Sequence, residues 1–236
     1  MQAGRTSGWQ INLLLQHTGH PFAKRMRPQD PRPAKMIRQN CHAPLTGRFQ
    51  GEPRCNLIHQ FSKLLRIGCL SRLNRLRAGQ ASLIETLLPR LSLDISAAAP
   101  SSLASLASLF DPPVKEVKLE IGFGGGEHLV AEAAQNPDTG FIGCEPYVNG
   151  MAKILAQIDA RQLSNIRLFA GDAAELLAWA PPASLARIDL IHPDPWPKRR
   201  HWKRRFVQDA TIRAMARVLT SGGLFRFVSD IDDYSA

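Results

Sequence analysis

Three carboxylates close three successive apolar runs near the middle of the chain: Glu120 ends VKEVKLE, Glu145 ends FIGCE and Asp172 ends IRLFAGD. Gly122, Gly124, Gly125 and Gly126 follow the first of them, and Glu127 then opens the helix-forming run HLVAEAA. A strand, a glycine turn and a helix in that order bring bare backbone N–H groups up to a ligand. Glycine suits the turn because a Cβ would block both a positive φ and a close approach. The glycines alone fit a plain turn equally well; the acids sharpen the reading. Glu145 lies about 20 residues past the loop, where such folds place a carboxylate on ribose hydroxyls. One acid at each of three strand ends suits a ligand with a cationic or amino end, a diol and an adenine amine. S-adenosylmethionine meets that description better than a dinucleotide, whose pyrophosphate would face Glu127 at the helix start.

A fourth acid lies in HPDPWPKRRHWKRR, residues 192–205. Asp194 stands between Pro193 and Pro195, with Pro197 close behind. Each proline sets its own φ and biases its predecessor away from helix, so the carboxylate rides on a stiff loop. The plainer alternative is a proline turn whose Asp caps a helix. Lys198, Arg199, Arg200, Lys203, Arg204 and Arg205 then place six cations in eight residues, with Trp202 among them. Either this is a solvated charged face or, better matched to a rigid acid and an aromatic, a track for nucleic-acid phosphates.

These groups need a frame, and the hydrophobic periods supply one. Leu83, Ile84, Leu87, Leu88 and Leu91 predict a helix within 76–93 that Pro89 disturbs near its end. Residues 96–109 read as a small-residue linker or weak helix. Strands are predicted over 114–121, 140–144, 166–169, 187–192 and 224–228, the last after the turn Ser221-Gly222-Gly223. Helices are predicted over 127–135, 150–160, 173–179 and 205–219. Alternating βα units of this length predict a mostly parallel sheet with right-handed crossovers and helices on both faces, an α/β three-layer sandwich with ligands at the strands' carboxyl ends.

The net charge of +10 is unevenly spread: residues 1–79 hold 14 Lys and Arg against 2 Asp and Glu, whereas residues 80–236 hold 16 against 18. Residues 1–75 therefore read as a basic, irregular segment, solvated or facing a polyanion. Residues 76–236 form the domain. Cys41, Cys55, Cys69 and Cys144 include no CxxC pair, which favours free thiols in a reducing cytoplasm over zinc or disulfides. INLLL at 11–15 is far too short for a membrane span. His128 and His192 read as structural, and Arg226 has no evident role.

From Leu76 onward the chain resembles the bacterial tRNA (guanine-N7-)-methyltransferases, which modify guanosine 46 of the variable loop. The resemblance rests on LRAGQ, LEIGFGGGEH, GCEP, AGDAAE, HPDPWPK, RRHWKRR and SDIDDY. The glycine loop is shared by all Rossmann-like methyltransferases, whereas PDPWPK followed by the basic run is specific to this family. The resemblance implies S-adenosylmethionine contacts from Glu120, Gly122, Gly124, Glu145, Asp172 and Asp194, with Asp194 as the catalytic acid. It implies substrate contacts from Lys198 and Asp230, and RNA binding by Arg200, His201, Trp202, Lys203, Arg204 and Arg205. It implies no metal and no membrane, tRNA as partner, and a monomer or weak homodimer.

Members of that family continue past the fifth strand with a helix and two more strands. Ending at Ala236, this chain is expected to lack the last antiparallel pair and to leave the fifth strand's edge open. The alternative function is accordingly a truncated, non-catalytic relative that retains cofactor or RNA binding. A nicotinamide-dependent oxidoreductase is disfavoured, since no hydride-transfer acid/base set is present and the basic loop would have no role.

Overall fold

The computed structural model describes residues 12–16, 76–96 and 99–235. Cys41, Cys55, Cys69 and most of the N-terminal segment lie outside them. The elements run β1 (Asn12–Gln16), α1 (Ala78–Thr86), α2 (Leu88–Leu91), α3 (Leu103–Ala107), β2 (Glu116–Ile121), α4 (Glu127–Gln135) and β3 (Thr139–Cys144). They continue through α5 (Val148–Arg161), β4 (Ile166–Phe169), α6 (Ala173–Trp179), β5 (Leu185–Ile191), a 3-10 turn (Arg199–Arg204), α7 (Asp209–Val218), β6 (Leu219–Val228) and α8 (Asp232–Ser235).

Six strands form one sheet in the order β1-β6-β5-β2-β3-β4, and every pairing is parallel. Alternation along the strands divides the core between two faces. Val117, Leu119, Ile121, Ile188, Leu190, Phe225 and Phe227 pack on one side with Leu106 of α3, Leu176 and Leu177 of α6, and Met215 and Val218 of α7. Phe141, Ile166 and Leu168 pack on the other with Ile84, Leu88, Leu129, Val130, Ile154, Leu155 and Ile158 of α1, α2, α4 and α5. Each fully buried side chain of this size contributes roughly 1.5–3 kcal/mol. The three-layer sandwich expected from the alternating pattern is the architecture found.

Several local expectations differ. Pro89 falls in the first turn of α2, where its missing N–H costs nothing, so the helix of 76–93 breaks at Leu87 and restarts. The basic run forms its own 3-10 turn, which delays α7 to Asp209. Ser221-Gly222-Gly223 is a bulge inside β6: the register steps from Leu185↔Leu219 to Arg187↔Leu224, and Gly222 takes φ +78°.

The N-terminal segment, read as irregular, supplies β1. Asn12–Gln16 lies parallel to β6, with Asn12 opposite Leu224 and Gln16 opposite Val228. The edge expected to be open is therefore covered by backbone pairing from a short apolar run. Its five residues are too few for periodicity to reveal.

Candidate functional site

Loops at the carboxyl ends of β2 to β5 enclose one cleft of about 1220 Å³. Gly122, Gly124, Glu145, Asp172 and Asp194 all line it. The glycine bend forms because Gly122, Gly124 and Gly126 take φ of +70°, +57° and +82°. At Gly126 a Cβ would also stand 2.6 Å from Ile154 Cγ1, so helix α5 can pack on the bend only against glycine. The bend is then pinned twice. Glu145 Oε2 accepts the Gly124 N–H at 3.0 Å, and the Gln157 side-chain amide donates to the Gly125 carbonyl at 2.8 Å.

Glu145 Oε1 accepts the Tyr147 N–H at 3.0 Å, so each carboxylate oxygen keeps one backbone donor. Burial raises this carboxyl above its ordinary value, the charge of Asp194 adds to the rise, and the two N–H groups act against it. Asp172 is exposed and caps α6, its Oδ1 accepting from the Ala174 N–H at 2.9 Å.

Glu120 is placed differently. It is 4% exposed, does not line the cleft, and its Oε2 lies 2.6 Å from His128 Nδ1. Burial raises this carboxyl too, opposed by the hydrogen bond from His128. His128 Nε2 faces Arg226 at 2.6 Å, and Arg226 Nε donates to Asp189 Oδ1 at 2.8 Å. Arg187 extends the chain from Asp189 Oδ2 (2.9 Å) to Glu132 Oε2 (2.5 Å). Arg226, unexplained from sequence, is thus the bridge between the acid of β5 and helix α4. Glu120, His128 and Asp189 gather ligand atoms within 4.8 Å of one another, yet the cation among them is already a guanidinium.

Asp194 is exposed on the loop after β5, and its flanks are strained: His192 and Trp196 hold φ of +47° and +40°. Non-glycine residues in that region cost of order 1–3 kcal/mol and gather at functional sites. His192, read as structural, lines the cleft, with Nδ1 3.8 Å from Asp230 Oδ1. Asp230 itself is exposed and is not part of the lining.

The basic run divides in two. Lys198, Arg200 and Lys203 are exposed, and Arg204 is exposed while lining the cleft and resting on Trp196 at 4.9 Å. His201 meets Trp196 edge-on at 5.8 Å. Trp202 is half-buried, with the guanidinium of Arg199 5.5 Å and that of Arg205 4.6 Å from its ring. Arg205, assigned to RNA from the sequence, is turned inward at 7% exposure. Its guanidinium carbon lies over Trp202 and Tyr234, Nε and Nη1 donate to main-chain carbonyls and Nη2 is buried, which leaves little to offer a phosphate.

Sequence reasoning also missed Gly150. A Cβ there would lie 2.4 Å from the Gly124 carbonyl oxygen and 2.9 Å from Glu145 Cγ. Its only signal was a glycine in the first turn of a helix. Tyr147, the one exposed large hydrophobic among the described residues, also borders the cleft. No described helix is long and apolar enough to cross a membrane. Cys144, the one described cysteine, is free and buried at the cleft floor, where burial raises its thiol pKa.

A family model described as "Putative methyltransferase" matches residues 114–236. The tRNA (guanine-N(7)-)-methyltransferase of Rhodopseudomonas palustris strain BisA53 is 76% identical over 163 residues, covering 69% of this chain and 64% of that protein. The protein of the same name from Bradyrhizobium diazoefficiens is 71% identical, covering 69% of this chain and 68% of its own length. The chain thus spans a little under two thirds of the first of these relatives. Among solved structures, a 30S ribosomal A1408 methyltransferase from an uncultured bacterium aligns at 16% identity and TM-score 0.42, over 56% of this chain and 63% of that one.

Proposed function

Because the chain belongs to the methyltransferase family whose curated members are named tRNA (guanine-N(7)-)-methyltransferase, we propose that it transfers a methyl group from S-adenosylmethionine to N7 of guanine in tRNA, at position 46 of the variable loop. The observation that carries this reading is the single cleft that unites the glycine bend, Glu145 and Asp172 with Asp194 and Arg204. Its donor set fits the methyl donor: open backbone at Gly122 and Gly124, with no atom within 4 Å of where a Cβ would stand, and the carboxylates of Glu145 and Asp172 in the same lining to meet an amino group and a diol. S-adenosylmethionine supplies an electrophilic methyl group when bound.

Guanine N7 carries a lone pair and no proton, so no strong base is required of the protein. The purine gains positive charge as the bond forms, and a fixed carboxylate near it favours that change. Asp194 holds this place in our reading, with Asp230 beside His192 and the exposed Lys198 orienting the base. Arg200, Lys203 and Arg204 present cations to the phosphates, with His201 and the Trp202 ring beside them. Glu120 acts from outside the cleft lining, through its hydrogen bond with His128.

Incubation with unmodified tRNA and labelled S-adenosylmethionine tests this directly. The expected product is 7-methylguanosine at one variable-loop position. Methyl-donor binding without any labelled tRNA would instead support a non-catalytic relative.

A further inference from the structure

We propose that Arg205 is a positioning residue for methyl transfer and not a phosphate contact; the proposal rests on the function proposed above. Arg205 Nε donates to the Pro195 carbonyl at 3.1 Å, and Nη1 donates to the Asp233 carbonyl at 2.6 Å. Its guanidinium carbon lies 4.6 Å from the Trp202 ring centre and 4.5 Å from that of Tyr234. One side chain thus joins the loop of Asp194, the 3-10 turn and helix α8.

The anchor beyond it is firm. Tyr234 packs edge-on against Phe227 of β6 at 5.1 Å, and its hydroxyl accepts the Val207 N–H at 3.3 Å. The loop on the near side needs such an anchor. Pro193 and Pro195 stiffen it, but His192 and Trp196 at its two ends sit in the left-handed region and persist only where surroundings hold them. Arg205 grips the carbonyl of the residue next to Asp194. A planar fork that donates in two directions while its faces are stacked is a task lysine cannot perform. Nη2 is buried with no hydrogen-bond partner among the described residues, so burial of this cation is not repaid by full pairing.

Arg205→Lys and Tyr234→Leu are to be compared with Lys203→Gln. The readouts are single-turnover methyl transfer at saturating tRNA, tRNA affinity across a salt series, and hydrogen exchange at the amides of Val207 and Tyr234. Arg205→Lys is expected to slow transfer at least about 10-fold through misplacement of Asp194. Its tRNA affinity should stay within about twofold and its salt slope should be that of the parent. The Val207 and Tyr234 amides should exchange faster while β2 and β3 stay protected. Tyr234→Leu should shift rate and exchange in the same direction while Arg205 remains in place, which covers the case in which the lysine variant fails to fold. An unchanged saturated rate in Arg205→Lys would overturn the proposal. A parent chain that methylates no tRNA would defeat the proposed function, and exchange would then decide alone: unchanged protection in Arg205→Lys would overturn the positioning role.

Discussion

Glu145 Oε2 accepts the Gly124 N–H at 3.0 Å, so the acid that closes β3 splints the glycine bend that closes β2. Its second oxygen holds the Tyr147 N–H. Under the proposed function, Glu145→Ala removes a contact to the methyl donor, and it loosens the glycine bend in any case. Hydrogen bonds to charged groups contribute about 1.5–3 kcal/mol, so S-adenosylmethionine affinity should fall roughly 10- to 100-fold. Calorimetric titration of the methyl donor measures it, and an unchanged affinity would remove Glu145 from the site.

Gly150→Ala should disturb the same bend from the other side. The new Cβ meets a backbone oxygen 2.4 Å away, and the main chain of Gly124 cannot turn aside as a side-chain tip would. Overpacking of this kind costs about 1–3 kcal/mol. The urea midpoint should drop accordingly and methyl-donor binding should weaken with it.

Asp194→Ala separates chemistry from binding. The carboxylate is exposed in a cleft shared with Gly122, Gly124, Glu145 and Asp172, so under the proposed function its loss should slow the single-turnover rate about 100-fold by analogy with other electrostatic contacts. The tRNA dissociation constant should change far less. Equal losses in both would make Asp194 a binding residue only.

Lys203 and Arg204 are exposed on the 3-10 turn. Neutralising either one should lower the slope of log affinity against log salt by about 0.7–0.9 for each phosphate that its cation neutralises in the parent. A parent-like slope in both variants would return them to an ordinary solvated face.

Acid should weaken the fold through Glu116 and Glu132. Burial acts upward on Glu132, yet its hydrogen bond with Arg187 holds the carboxyl below the ordinary value of 4.5. Glu116 is lowered chiefly by Lys118. A lowered native pKa means stability that is fully present above that ordinary value and is lost as pH falls through the native one. Glu120, raised by burial, acts in the opposite sense: its neutral form is favoured in the folded chain, and its contribution is lost as pH rises. The urea midpoint of Glu132→Gln should accordingly fall less between about pH 6 and pH 3 than that of the parent.

Sequence alone determined the βα alternation, the glycine bend and the acids at successive strand ends, because period, turn chemistry and strand-end position are local properties. It also marked PDPWPK and the basic run as a stiff proline loop followed by a cluster of cations. Tertiary structure decided what those residues face. Glu120 and Glu145 read alike in the chain, yet one is held by His128 beneath the bend and the other opens on the cleft. Arg204 and Arg205 are neighbours of the same type, yet a 3-10 turn sends one outward and the other between Trp202 and Tyr234. Arg226 acquires its role from Asp189 and His128, 37 and 98 residues away in the chain. The pairing of β1 with β6 joins the two far ends of the chain, Asn12–Gln16 with Leu224–Val228. Such relations depend on which distant group arrives beside a side chain, and no local pattern in the amino-acid order encodes that.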